Sequence, residues 1–482
     1  MRREILIPLL IIFCVGLIFF FTLRGGQHWG DDFAMYLLHT RNLAEGLPYS
    51  TGYVYNPAEP HQGPPAYPPL FPILLLPAYE MAGLNLLPFK VVILLTFLIF
   101  LWAMFEVSAG YLTWGWRVAL LVLIGLQPFI WEGRDDILSD LPFLMFLYLA
   151  LAFNERFCER AKQPPLPLAF VLGVLLFLPY ATRTAGLSII PAFFLYDLWK
   201  RRRLTVFTCV AIATPLVLAL AQSRILKTTS GYGGLFNLSP SWLVHNTINY
   251  IRSLRVFLVN GYSHPVSYGV FAIALVLAAW GGWRQLRRGL HFLDVFALVY
   301  LPLIIAYSVP GLHRYLLPFL PLFFIYVLTG FQALLEALPA TLRTPALCAA
   351  LLLISGTYAG VYAKSERGPI QDGVNDPEFL QTCKYLRDHA APSDIVIFRK
   401  PRVLALLTGL QAAVYNTTGS PETIRAFVHQ THARYIVVAS LSYEDFEPDA
   451  KNLLPAIERY REAVTEVYTN PHYRIFVLHP DF

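Results

Sequence analysis

Two adjacent aspartates, Asp31 and Asp32, sit in WGDDFAMYLLHTRNLAEG, a few residues beyond an apolar N-terminal run. A carboxylate there can take a proton from a hydroxyl, or it can do no more than cap a helix. One aspartate suffices to cap FAMYLLHTRNLAEG, with Gly46 closing the helix, and the second is then unexplained. A second acidic group, EGRDDILSDLPF, holds Asp135, Asp136 and Asp140. Asp135 and Asp136 read as wetted loop residues. Asp140 abuts the apolar run LPFLMFLYLALAF, where an unpaired carboxylate is costly to desolvate, so it reads as functional. Arg183 in YATRTAGLSIIP and Arg314 in GLHRYLLPFLP interrupt other hydrophobic runs. Such arginines either extend to lipid headgroups or grip a phosphate with several donors. His28, His61 and His313 read as structural. Asp31 and Asp140 with a histidine such as His61 would suit a divalent metal ion, although no ligand spacing specifies one.

The elements that must carry these residues are apolar. The chain has 482 residues, 56% hydrophobic and 14% charged, with a mean hydropathy of +0.51. Soluble domains hold closer to ~25% charged residues. A soluble core cannot hide this much apolar surface, so lipid is the solvent for most of the chain. The formal charge of +6 does not point to nucleic acid, because the basic residues fall in short clusters between apolar spans. The N-terminal apolar run exceeds a signal-peptide core and has no small-residue cleavage site, so it reads as a retained first helix. Cys14, Cys158, Cys209, Cys348 and Cys383 are scattered and imply no disulfide framework.

Eleven crossings are predicted, near 4–23, 86–107, 115–131, 137–154, 166–182, 184–199, 204–222, 265–283, 292–309, 314–331 and 344–363. The basic clusters are Arg2/Arg3, ERFCERAK (155–162), KRRR (200–203) and WRQLRRGLH (283–291). They share the cytoplasmic side only if the proline-broken segment 69–84 does not span. That segment is therefore expected to lie in the outer interface, within one long external loop over 24–85. Asp31, Asp32, Asp140, Arg183 and Arg314 then gather on the outer face. After 363 the composition changes. NDPEFLQTCKYLRDHA predicts a helix capped by Asp376, and DIVIF, QAAVYN, RYIVVAS and YRIFVLH predict strands. The expected organisation is a polytopic α-helical membrane domain over 1–363 and a small extracytoplasmic α/β domain over 364–482. The tail carries no phosphate loop and no nucleophile motif.

The acidic pair after the first helix, followed by RNLAEG, resembles the first external loop of GT-C-type glycosyltransferases. The likeness is to bacterial relatives of protein O-mannosyltransferases and of lipid A aminoarabinose transferases. The order of YPPLFPILLLPAYEMAG, SDLPF, TRTAGL and HRYLLPFLP continues it over most of the chain. The resemblance implies transfer of a sugar from a polyprenyl-phosphate donor to a glycan, lipid or protein acceptor on the extracytoplasmic face of the plasma (bacterial inner) membrane. It places the first-loop aspartate at Asp31, with Asp32 beside it, and the second-loop aspartate at Asp140. Relatives often carry a lysine for the donor phosphate where this chain has Tyr67, which leaves that role to Arg183, Arg314 or Arg134.

Transfer of this kind needs a base for the acceptor hydroxyl, here Asp31, and positive charge beside the departing phosphate. It needs no nucleotide, and a metal ion is the only cofactor left open. The rival expectation is a lipid-linked glycan flippase or another polytopic transporter, which would place charges and broken helices near the bilayer midplane.

Overall fold

Apolar length decides the architecture. A computed structural model describes residues 2–59, 63–159, 164–226, 236–258, 264–308, 312–370, 373–441 and 446–482. The helices up to the tail run in order as α1 (Arg2–Phe21), α2 (Asp31–Ala44), α3 (Leu70–Ala82), α4 (Leu86–Val107), α5 (Trp114–Gly125), α6 (Pro128–Glu132), α7 (Asp140–Phe153) and α8 (Leu166–Thr182). They continue as α9 (Ile189–Arg201), α10 (Val206–Leu226), α11 (Pro240–Leu254), α12 (His264–Arg288), α13 (Phe292–Ala306), α14 (Leu312–Leu316), α15 (Leu320–Ala337) and α16 (Ala340–Lys364).

Among the described residues, eight helical segments are long and apolar enough to cross a membrane. They are α1, α4, α5 with α6, α7, α10, α12, α15 and α16. Of the other three expected crossings, 166–182 and 292–309 form the shorter apolar helices α8 and α13. The third, 184–199, departs from expectation. It starts as a 3-10 turn over Thr184–Ser188 and becomes the 13-residue α9. The cause is steric. A Cβ on Gly186 would lie 2.3 Å from the carbonyl carbon of Pro179, so the chain folds back tightly at this glycine before a helix can begin.

The segment 69–84 forms α3. Its 13 residues reach only ~20 Å at 1.5 Å per residue, short of the ~30 Å hydrocarbon layer. It packs on α2 through Phe71, whose ring meets Tyr36 edge-on at 4.7 Å. Two of the basic clusters, at 155–159 and 200–203, meet at one end of the bundle. Arg201 donates to the Cys158 carbonyl at 3.2 Å, Lys200 pairs with Glu159, and Arg156 pairs with Glu106 at 3.4 Å.

The tail is built on α17 (Pro377–His389), α18 (Pro401–Thr408), α19 (Pro421–Thr431) and α20 (Leu454–Arg459). As expected, Asp376 caps α17, accepting the Glu378 N–H at 3.2 Å. The sheet holds β1 (Tyr53–Val54), β2 (Ile395–Ile397), β3 (Gln411–Ala413), β4 (Tyr435–Ala439), β5 (Val464–Thr469) and β6 (Tyr473–Leu478). Their spatial order is β1-β3-β2-β4-β6-β5. The first four strands in that order run parallel, and β6 pairs antiparallel with both β4 and β5. The four predicted strands are β2, β3, β4 and β6.

The edge strand β1 comes from the loop after α2, not from the tail. Tyr53 registers with Ala412 and Val54 with Ala413. Trp29 seals the same contact, its ring edge-on to Phe379 at 4.9 Å and to Phe446 at 5.3 Å. The first loop and the tail are thus one packed body. This matters for the site, because α2 is held between the bundle and the tail.

Candidate active site

Helix α2 begins at Asp31 itself. Gly30 is its N-cap, and no side chain supplies a cap hydrogen bond. Capping therefore accounts for neither aspartate. Closure at Gly46 is as expected, with φ +67° and the Leu47 N–H returning to the Asn42 carbonyl at 2.8 Å. The rest of α2 is almost wholly buried from Phe33 to Thr40, so its polar first turn is fixed in direction.

Asp140 opens α7, at the end where the helix dipole favours a carboxylate. Its neighbour Ser139 shares a 2.7 Å hydrogen bond with the Tyr36 hydroxyl of α2, which ties the two helix starts together. Arg183 ends α8, its backbone N–H returning to the Pro179 carbonyl at 2.9 Å. Arg314 lies on α14, just before α15. That segment is pinned by Tyr300, whose hydroxyl donates to the Tyr315 carbonyl at 2.9 Å, and by Tyr148, which donates to the Pro318 carbonyl at 3.2 Å. Helix α15 is in turn locked to α12 by close backbone approach. A Cβ on Gly330 would lie 2.0 Å from the Leu277 carbonyl oxygen.

These elements bring five sequence candidates into one chain of contacts. Arg183 Nη1 donates to Asp140 Oδ1 at 2.5 Å. Arg314 donates to Asp140 Oδ2 from Nε at 3.2 Å and from Nη2 at 2.9 Å. Its Nη1 reaches Asp32 Oδ2 at 3.1 Å. The Tyr67 hydroxyl donates to Asp32 Oδ1 at 2.7 Å.

The chain continues through a residue that the sequence reading did not single out. Arg402, on α18 of the tail, donates from Nη1 to the Tyr67 hydroxyl at 2.9 Å. Its Nε lies 3.5 Å from Asp31 Oδ2, and its Nη1 lies 3.8 Å from Asp32 Oδ1. The guanidinium stacks near the Tyr53 ring at 4.6 Å and the Tyr67 ring at 5.1 Å. Three carboxylates and three guanidiniums therefore alternate. The charge balances, as burial requires. A signal for Arg402 was present: it is a lone cation in the apolar helix PRVLALLT, as Arg183 and Arg314 are in theirs.

The three aspartates are not equivalent. Asp32 and Asp140 are held on both oxygens, whereas among the described residues neither oxygen of Asp31 accepts a hydrogen bond. Burial pushes the Asp31 carboxyl above the usual aspartate range, and Arg402 and Lys400 offset only part of that. Burial acts the same way on Asp32, but Arg314, Arg402 and the Tyr67 hydroxyl outweigh it and hold that carboxyl below its usual value. Side-chain exposure is 9% for Asp31 and 1% for Arg402, against 35% for both Asp32 and Arg314. An incoming ligand meets Asp32 and Arg314 first.

Behind the network, His39 fixes Tyr67. Its Nδ1–H donates to the Tyr49 carbonyl at 2.8 Å, and its Nε2 accepts the Tyr67 N–H at 3.1 Å. Burial lowers its pKa to about 3, so the ring is neutral.

Arg134 stands apart. Its guanidinium lies over Trp131 at 3.8 Å, donates to the Thr22 and Trp131 carbonyls and meets Asp135 at 3.5 Å. It shares no hydrogen bond or ion pair with the network. Asp135 and Asp136 are also not free in solvent: Asp135 accepts the Arg24 N–H at 2.7 Å, and Asp136 accepts Gln27 Nε2 at 3.3 Å. Among the described residues, Asp31 and Asp140 each face guanidiniums and share no third His, Cys or carboxylate ligand. Asp140 faces Arg183 and Arg314, Asp31 faces Arg402, and His61 lies outside the described residues. Carboxylates already neutralised by guanidiniums are a poor donor set for a divalent ion. Among the described residues, Asp376, Glu378 and His472 do offer ligand atoms within 4.8 Å of one another, but on the tail. There Asp376 already caps α17 and accepts the Tyr473 hydroxyl at 3.0 Å.

Solved structures decide the fold. ArnT from Cupriavidus metallidurans bound to undecaprenyl phosphate aligns with a TM-score of 0.60 at 12% identity, over 97% of this chain and 97% of that one. The chain has the GT-C fold. The archaeal oligosaccharyltransferase AglB from Archaeoglobus fulgidus, in complex with an inhibitory peptide and a dolichol-phosphate, shares it with a TM-score of 0.55 at 13% identity. That match covers 89% of this chain and 69% of AglB. The arabinofuranosyltransferase AftD from Mycobacteria matches with a TM-score of 0.53 at 14% identity, over 99% of this chain and 40% of its own. No known family profile matches the chain, and no curated protein matches it by sequence. The GT-C fold is thus recognisable in three dimensions at identities where sequence likeness is faint.

Proposed function

We propose that the chain is a membrane glycosyltransferase that moves a sugar from a polyprenyl-phosphate carrier to an acceptor hydroxyl. The observation that carries this reading is the asymmetry of the aspartates. Among the described residues Asp31 has two oxygens that accept no hydrogen bond, and it has a raised proton affinity next to an Asp32 hydrogen-bonded on both oxygens. A carboxylate in that state is suited to take a proton. The ligands in the matched ArnT and AglB structures, undecaprenyl phosphate and a dolichol-phosphate, support the donor class.

In this mechanism Asp31 removes the proton from the acceptor hydroxyl as its oxygen attacks the anomeric carbon. The bond between that carbon and the phosphate oxygen breaks, and polyprenyl phosphate departs with the electron pair. Arg314, one of whose three donating nitrogens faces the accessible Asp32, exchanges that carboxylate for the leaving phosphate, with Arg183 behind it. Positive charge placed where negative charge develops is the largest contribution such a site can make. Arg402 takes the place of the lysine missing at Tyr67. It holds Tyr67 and Asp31 and supplies the cation from the far end of the chain.

The end of the bundle where the two basic clusters meet is cytoplasmic in this reading, and the site and tail face the opposite side of the plasma membrane. The convergence of Asp31, Asp32, Asp140, Arg183 and Arg314 at one end argues against a transporter, which would need its charges near the midplane.

The test is to reconstitute the purified protein with a panel of radiolabelled polyprenyl-phosphate sugars and an acceptor extract. The reading expects release of polyprenyl phosphate with one sugar class and its loss in Arg314→Ala. Release that is equal in wild type and Arg314→Ala, or absent across the panel, contradicts it.

A further inference from the structure

The sequence singles out Arg134, yet the catalytic network does not use it. It lines a separate cavity of about 750 Å³, walled by the end of α1, the α5–α6 junction and the end of α16. Two features of its walls differ from those of the proposed active site.

The first is contact with lipid. Helices α1 and α16 are among the least buried spans, with 22% and 17% of their apolar windows covered by protein. Phe21, at the cavity edge, is 79% exposed. The second is charge. Arg24, Arg134 and Arg367 line the cavity against one lining carboxylate, Glu366. Arg24 pairs with Glu366 at 3.2 Å and donates to the Gly368 carbonyl at 2.7 Å. Arg134 is held flat on Trp131, and Asp135 behind it is shared with Lys90 at 3.5 Å. Arg367 is exposed at the mouth. A cationic rim directly above an apolar, lipid-facing wall matches one kind of ligand, a phosphate head on a hydrocarbon tail. The volume suits a small headgroup with the first part of its chain.

We propose that this cavity is a binding site for an anionic phospholipid of the surrounding membrane, distinct from the donor site. Its phosphate sits among Arg24, Arg134 and Arg367, and its acyl chain runs down α1 past Phe21. The inference rests on the membrane-spanning fold and not on sugar transfer. A lipid there would also brace the start of α7. Arg24 gives its N–H to Asp135, and Gln27 holds both Asp136 and the Ile137 N–H, in the segment that leads to Asp140.

Native mass spectrometry on the full chain, released from nanodiscs of mixed phosphatidylglycerol and phosphatidylcholine, tests this directly. Wild type is expected to retain one phosphatidylglycerol. The exposed Arg367→Glu change should weaken retention roughly 25-fold, at about fivefold per unit charge, and Arg24→Gln about fivefold. Photoactivatable phosphatidylglycerol should label Phe21 or Tyr362. Equal retention in wild type and both variants, labelling confined elsewhere, or displacement of the lipid by undecaprenyl phosphate at equimolar concentration would overturn the proposal.

Discussion

Arg402 of the tail and Tyr67 of the first loop stand 335 positions apart and share a 2.9 Å hydrogen bond in the centre of the candidate site. The tyrosine passes that contact on, donating to Asp32 at 2.7 Å. The tail therefore contributes a charge to the network as well as a docking surface. The cation beside both aspartates thus comes from the tail, while position 67 holds a tyrosine.

This substitution in space predicts a compensating pair. Arg402→Gln leaves Asp31 buried without its ion-pair partner, and loss of one member of a buried pair costs about 3–5 kcal/mol. Transfer should fall at least 100-fold, with Arg402→Lys restoring only part because the forked geometry is lost. Tyr67→Lys alone should also be impaired, since it sets two cations side by side. The Tyr67→Lys/Arg402→Gln double variant should recover activity relative to Arg402→Gln. Initial rates of carrier release check all four.

Tyr67→Phe removes two hydrogen bonds to charged groups, the one donated to Asp32 and the one accepted from Arg402, each worth about 1.5–3 kcal/mol. Turnover should drop about 100-fold or more while the protein stays folded, because the ring contacts with Tyr36 remain. Steady-state kinetics should show the loss in kcat more than in KM.

His39 gives a pH signature for stability. Its folded-state pKa is lowered to about 3, while the unfolded chain titrates near the ordinary value of 6.5. The unfolded state therefore binds the proton first. The stability due to the neutral ring is complete above pH 6.5 and is lost as pH falls toward about 3. The loss amounts to roughly 4–5 kcal/mol at 1.36 kcal/mol per pKa unit. Thermal melts of detergent-solubilised protein should show this slope in wild type. His39→Gln should flatten it, because a neutral amide does not titrate there.

Much of this arrangement is legible in the sequence. Carboxylates and arginines that interrupt apolar runs are costly unless paired, and Asp140, Arg183 and Arg314 prove to be one another's partners. The pairing itself was hidden, because segments far apart in sequence meet only when the helices pack. Arg402 carried the same signal, but its helix belongs to the tail, where an arginine looks ordinary. The two-residue strand β1 had no signal at all: its partner β3 determines it, not its own composition. Arg134 resembled its neighbours in sequence, yet its stack on Trp131 turns it toward another cavity.

Trp29 should report the docking of the tail. Truncating an aromatic residue that bridges Phe379 and Phe446 removes about 3–5 kcal/mol of packing. In Trp29→Ala, hydrogen exchange should quicken in α18 and at β1, and transfer should fall with it because Arg402 rides on α18. Unchanged exchange at β1 would separate the tail from the site.

The central claim is that Asp31 accepts the acceptor's proton within a network whose other aspartates serve as fixed charges. Single-turnover transfer from a labelled polyprenyl-phosphate sugar, measured with Asp31→Asn in folded, reconstituted protein, tests it most directly. Sugar release from the carrier is expected to fall by about three orders of magnitude or more while carrier binding persists. Full single-turnover activity in Asp31→Asn would contradict it.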